Sequence, residues 1–176
     1  MRIIFVTHAE TLDAPPKLLS KKGKRQAKSV ANLIKKLLGD NFKVSKAVSS
    51  PAIRCIETSL LILKELSGKK MRRVDTDPRL IAAKEPMEPD QLSRAIIDYA
   101  CDGVLVTLHA DLANALPARD KIKNVSDGWF QTRPVLAIFD WEQDRPWEES
   151  KVLFILGPNG KPLFEPDDEE KPLLLT

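Results

Sequence analysis

Two short apolar runs set the terms on which this chain can fold. RIIFVT at residues 2–7 and VLVTL at 104–108 are β-branched, with unbroken apolar centres rather than the alternation of a half-exposed strand. A strand of that kind must be covered on both faces. The two runs therefore predict central strands of a largely parallel sheet wrapped by helices.

The intervening sequence alternates as such a fold requires. A polar, proline-bearing loop over 9–19 leads to Ser20, a helix N-cap residue. Ala27, Val30, Ala31, Ile34, Leu37 and Leu38 then recur at the spacing of a buried helix face, and Gly39 stops the helix. KAVS at 46–49 reads as a second strand, with Ser50 as N-cap and Pro51 as first residue of a second helix. Ile53, Ile56, Leu60 and Leu63 form the expected buried stripe of that helix, which ends near Gly68. A strand around 71–74, a loop through Pro78 and Pro86, a helix over about 89–100 and a turn at Asp102 and Gly103 lead into the second apolar run. Strands over 134–141 and 151–156 have no helix between them, which predicts an antiparallel addition at one side. The expected fold is α/β: a three-layer α/β/α sandwich with a mostly parallel central sheet and an antiparallel addition. Residues 1–164 form one domain in this reading, and 165–176 a mobile acidic C-terminal tail.

Composition narrows the function. At 176 residues, 43% hydrophobic and 30% charged, the chain has the size of one domain and the makeup of neither a disordered nor a collagenous protein. It has no apolar run of the ~18 residues that a membrane span needs, and its first strand is too short for a signal peptide, so a cytoplasmic protein without membrane contacts is expected. Cys55 and Cys101 stand apart without a CxxC pair, so no zinc site or disulfide framework is predicted. Cysteine-phosphatase chemistry needs an arginine six positions after the thiol, and those positions hold Leu61 and Thr107. GPNG at 157–160 is a turn without P-loop spacing, and no GxGxxG follows the first strand. The net charge is only +3, but Lys17, Lys21, Lys22, Lys24, Arg25 and Lys28 cluster early, while Asp167, Asp168, Glu169 and Glu170 cluster late. The basic cluster reads either as a solvated helix face or as attraction for an anionic ligand; without interleaved aromatic residues it is no nucleic-acid surface. Trp129, Trp141 and Trp147 are expected in the core, and oligomeric state is not legible.

The chain has two histidines, and each directly follows one of the buried runs: His8 and His109. In open α/β sheets the carboxyl ends of the strands form the ligand crevice, so both imidazoles are placed at one cleft. One histidine at a strand end is more often structural; two in equivalent positions favour chemistry. Arg54, one turn into the second helix, reads as an anion clamp beside helix N-terminal amides or as a surface ion pair.

Four segments in order, FVTHAET at 5–11, LLSKKGKRQA at 18–27, VSSPAIRCIET at 48–58 and VLVTLH at 104–109, resemble successive signatures of the histidine phosphatase superfamily. That superfamily is also called phosphoglycerate-mutase-like, and the short chain is most similar to its small SixA-type phosphohistidine phosphatases. The resemblance spans residues 2–112. It implies a metal-independent phosphatase with no cofactor, in which His8 is the nucleophile of the RHG motif and forms a phosphohistidine. Arg54 and a protonated His109 would then neutralise the phosphoryl oxygens, and Glu85, by position, would protonate the leaving group. Lys17, at a position often basic in related sequences, would add positive charge from the cleft rim. The substrate implied is a phosphohistidine-bearing partner protein or a small phosphomonoester. The chain departs from the RHG motif by carrying Thr7 and Ala9 where the family has arginine and glycine. Thr7 keeps one hydroxyl donor for substrate without the charge or fork of a guanidinium. Loss of one preorganised donor of that kind typically lowers rates by ~10²–10³. The competing reading is a non-catalytic phosphate- or phosphoprotein-binding module from the same family.

Overall fold

The computed structural model describes residues 1–67, 73–81, 89–99, 101–109, 116–117, 134–157 and 159–162. In chain order its elements are β1 (Arg2–Thr7), α1 (Lys21–Leu38), β2 (Lys46–Ser49), α2 (Ile53–Ser67), β3 (Asp75–Thr76), α3 (Pro89–Tyr99), β4 (Val104–Leu108), β5 (Leu136–Asp140) and β6 (Lys151–Leu156). Short 3-10 turns stand at Pro78–Leu80 and Trp147–Glu149. The strands form one sheet in the order β3-β2-β4-β1-β5-β6. β1, β2, β3 and β4 run parallel, and β5 and β6 are the antiparallel addition on the β1 side. This is the mixed α/β sheet expected from the strand patterns.

The two apolar runs lie side by side at the centre, paired from Ile3 with Val104 to Thr7 with Leu108. Because successive side chains of a strand point to opposite faces, each run feeds two cores. Ile3, Phe5, Val104 and Val106 pack with Ala95, Ile96 and Tyr99 of α3 and with Trp141 and Trp147. Ile4, Val6 and Leu105 pack with Val30, Ala31 and Ile34 of α1 and with Ile62 and Leu63 of α2. The sheet thus has α1 and α2 on one face and α3 on the other. Trp141 and Trp147 are core residues as expected; Trp129 and the tail at 165–176 lie outside the described residues. No helix among the described residues is long and apolar enough to cross a membrane.

α1 begins and ends as its sequence predicts. The Ser20 hydroxyl accepts from the Gly23 amide at 3.0 Å, and Gly39, at φ 88°, donates its amide to the Lys35 carbonyl. Three local readings need correction. β3 occupies Asp75–Thr76 rather than 71–74, because pairing of Val48 with Asp75 and Ser49 with Thr76 sets its place. α2 starts at Ile53, so Ser50 and Pro51 precede it rather than cap it. The buried face of α2 is Cys55, Thr58, Ser59, Ile62 and Leu63, while Ile53 and Leu60 are 45% and 40% exposed. Apolar spacing chose the greasy side of that helix, but its first two turns turn hydroxyls toward the sheet, where Ser59 Oγ donates to Thr107 Oγ1 at 2.6 Å.

Candidate active site

Parallel, in-register pairing of β1 with β4 brings their next residues together, and the His8 amide donates to the Leu108 carbonyl at 3.0 Å. The imidazoles of His8 and His109 lie edge to face, ring centroids 5.4 Å apart, both buried. β2, the other neighbour of β4, ends beside them, and the Ser50 amide donates to the Thr107 carbonyl at 2.9 Å. α2 then returns Arg54 to the same place, its Nη2 3.2 Å from His109 Nδ1. Positions 8, 54 and 109 converge at the carboxyl ends of the parallel strands, as the strand-end reasoning expected.

Hydrogen bonding specifies which ring nitrogens carry protons. The Ala9 carbonyl only accepts, so its 2.9 Å contact with His8 Nδ1 places a proton on Nδ1, and in the neutral ring the lone pair is then on Nε2. A guanidinium only donates, so Arg54 makes His109 Nδ1 an acceptor, and the His109 ring in this arrangement is neutral with its proton on Nε2. That Nε2 faces Ser50 Oγ at 3.0 Å and Cys55 Sγ at 3.8 Å.

A hydroxyl joins the two halves of the cluster. Thr58 Oγ1 accepts the Ala9 amide at 3.1 Å and donates to the Arg54 carbonyl at 2.7 Å, tying the turn after His8 to the helix that carries the arginine. The start of α1 is anchored to the same turn. The Ser20 amide donates to the Glu10 carbonyl at 3.0 Å, and the Ser20 hydroxyl donates to Glu10 Oε1 at 2.9 Å. Lys22 Nζ lies 2.6 Å from Glu10 Oε2, and these two side chains, Lys22 foremost, lower the Glu10 pKa from its ordinary value. The Leu19 amide donates to Glu57 Oε2 at 2.7 Å, on the α2 turn next to Arg54.

A second polar cluster braces the segment that leaves β3. The Asp77 amide donates to the Ser49 carbonyl at 3.0 Å, and its carboxylate receives Nε and Nη2 of Arg79 and the hydroxyl of Tyr99. The Arg79 guanidinium, against the opposing effect of burial, holds the Asp77 carboxyl well below its ordinary value, at about 2, with Tyr99 adding to it. Burial, and then the Asp77 carboxylate, push the Tyr99 hydroxyl upward.

The remaining expected residues are Thr7, Lys17 and Glu85. Thr7 is buried at the β1–β5 seam, where its Oγ1 accepts the Val135 amide at 2.8 Å. Lys17 is exposed in the loop before α1. Glu85 lies outside the described residues. Sequence reasoning noted Thr58 only as the threonine downstream of the SSPxxR segment, passed over Ser59, Glu57 and Asp77, and took Ser50 for a helix cap. The available signal was the run of polar residues at inward positions of α2, which a hydrophobic stripe does not need. Among the described residues no three or more His, Cys, Asp or Glu side chains group as metal ligands.

Residues 3–83 match the family model described as histidine phosphatase superfamily (branch 1). No curated protein matches the chain in sequence. Among solved structures, the protein histidine phosphatase SixA complexed with tungstate superposes with a TM-score of 0.65 at 17% identity, covering 90% of this chain and 98% of that one. The putative phosphohistidine phosphatase SixA from Agrobacterium tumefaciens gives 0.62 at 17% identity, with 88% and 96% covered. The ecdysone phosphate phosphatase from Bombix mori, also with tungstate, gives 0.56 at 15% identity, with 99% and 97% covered. The fold is therefore the phosphoglycerate-mutase-like α/β fold. The family match covers 81 of the 176 residues, and these structures, at 15–17% identity, share the fold with this chain.

Proposed function

We propose that the protein is a metal-independent phosphatase that carries the phosphoryl group on His8, with phosphohistidine in a partner protein as its substrate class. The observation that supports this most is the convergence of His8, Arg54 and His109 at the carboxyl edge of the sheet, with His8 Nε2 holding the lone pair. In the first step Nε2 attacks phosphorus, the bond to the leaving atom breaks, and its electron pair and a proton go to the leaving group. Glu85 is the proposed proton donor. In the second step water attacks phosphorus and gives a proton back to the Glu85 carboxylate, the P–N bond breaks and its electron pair returns to Nε2, releasing inorganic phosphate. Arg54 stabilises the equatorial oxygens throughout. An oxyanion that takes the Arg54 hydrogen bond away from His109 Nδ1 releases that nitrogen to take up a proton, which is how His109 gains its positive charge. The two SixA structures, a protein histidine phosphatase and a putative phosphohistidine phosphatase, support phosphohistidine as the substrate class.

Thr7 favours a second reading, a non-catalytic phosphate-binding module. In place of the motif arginine it offers a hydroxyl whose oxygen already accepts the Val135 amide. Release of p-nitrophenol from p-nitrophenyl phosphate in EDTA, comparing wild type with His8→Ala, separates the two. The phosphatase reading expects turnover in wild type alone, with acid-labile phosphate trapped on the wild-type chain. Background release by both, with vanadate still bound by wild type, would establish the binding module.

A further inference from the structure

α1 carries seven cations, Lys21, Lys22, Lys24, Arg25, Lys28, Lys35 and Lys36, and no acidic residue in its 18 positions. The whole chain totals +3, so everything outside this helix sums to −4. Among the described residues only Lys22, with Glu10, and Lys28, with Glu65, of these seven meet a carboxylate. Lys21, Lys24 and Arg25 are exposed and make no ion pair among the described residues, nor does Lys17 on the preceding loop.

This placement opposes the helix's own electrostatics. Cations in the first turn face the positive end of the macrodipole, and Lys21 with Arg25, like Lys24 with Lys28, is a like-charged pair four residues apart. A solvated face needs no such concentration of one sign; a mixture of Lys and Glu dissolves equally well and stabilises the helix. The first turn is also fixed beside the cluster described above, through Glu10, two residues from His8, and Glu57, three residues from Arg54. Residues 17–38 contain no Phe, Tyr or Trp, so a base-stacking platform is absent from this face.

We propose that the exposed face formed by Lys17, Lys21, Lys24 and Arg25 docks an acidic segment of the protein that presents the phosphorylated side chain to the His8 cleft. The inference rests on the phosphatase reading and names its partner: a phosphoprotein with Asp and Glu near the modified residue. Charge complementarity of this type acts mainly on encounter and orientation, and it weakens with salt.

The test reads binding and turnover separately. The full chain is titrated by fluorescence polarisation into a labelled ten-residue Asp/Glu-rich peptide and into its Asn/Gln counterpart, at low and high salt. At about 20 mM salt the acidic peptide should bind roughly tenfold tighter or better, with the difference largely gone by about 300 mM. The triple variant Lys21→Ala, Lys24→Ala, Arg25→Ala should abolish that preference while leaving p-nitrophenyl phosphate turnover and the circular-dichroism spectrum unchanged. On phosphohistidine-containing versions of the two peptides, kcat/KM should follow the same order. Equal affinity for both peptides, or a triple variant that binds like wild type, overturns the proposal. A DNA duplex of matched charge that outcompetes the acidic peptide overturns it in favour of nucleic acid. Wild type that discriminates between the peptides yet turns over no phosphate ester upholds the docking face and refutes the phosphatase reading instead.

Discussion

Replacing Gly23 with alanine sets helix propensity against packing, and the structure decides between them. In a solvated helix the change stabilises by ~0.8–1.0 kcal/mol, because alanine loses less backbone freedom on folding. At position 23 an added Cβ lies 2.0 Å from the Glu10 carbonyl oxygen and 2.9 Å from its carbon. Both are backbone atoms, so no rotamer change relieves the contact. Glu10 is held from several sides, its amide donating to Gln26 Oε1, its carbonyl accepting the Ser20 amide and its carboxylate paired with Lys22. Overpacking of this kind typically costs ~1–3 kcal/mol. Stretching the Ser20–Glu10 hydrogen bond adds ~0.5–1.5 kcal/mol. Set against the propensity gain, the net loss is about 1–3 kcal/mol, or a Tm lower by roughly 3–10 °C for a chain of this size. Urea unfolding with an unchanged m value measures it. The displaced segment begins two residues after His8, so p-nitrophenyl phosphate turnover should fall at temperatures where the variant is still folded. An equal or higher urea midpoint for Gly23→Ala would refute the reasoning, because propensity would then have prevailed over the backbone contact.

Three further outcomes follow from the same contacts. Thr58→Val removes the acceptor of the Ala9 amide and should cost about 1–3 kcal/mol in urea unfolding, with phosphate or vanadate affinity falling as the His8 turn loosens. Ile34→Ala, fully buried between α1 and the sheet, should cost about 2–5 kcal/mol without changing the pH dependence of stability. Asp77 has a folded pKa depressed from 3.8 to about 2, so its contribution is fully present above the unfolded value and is lost as pH falls through the folded one. With Arg79 part-exposed, that contribution is about 1–2 kcal/mol. Asp77→Asn should therefore flatten the fall in stability between about pH 4 and pH 2; an unaltered slope in acid titrations of the Tm would show that Asp77 is not the group responsible.

Where legibility ended can be traced residue by residue. Strand and helix positions were readable because their signals are local: apolar continuity at 2–7 and 104–108, helical spacing from Ala27 to Leu38, a capping serine at 20 and a stopping glycine at 39. α2 was readable as a helix, yet its facing was not. Hydrophobicity alone cannot register that Thr58 and Ser59 are turned inward because each has a hydroxyl or amide partner on another element. Ser50 illustrates the same gap. A serine before a proline and a helical run has the chemistry of a cap, and only the nearness of β2 to β4 gives its hydroxyl an imidazole to meet.

Local pattern by itself determined that this chain builds a buried parallel sheet with a histidine at the end of each central strand, since side-chain period and burial are properties of a few consecutive residues. Tertiary structure decided which strands are neighbours, and so brought His109 beside His8 across a hundred positions of chain and Arg54 onto His109. It also decided the protonation pattern of the two rings, the seam position of Thr7 and the ionised state of Asp77. Hydrogen bonds and charge interactions depend on separations of a few ångströms in space, and distance along the chain carries no record of them.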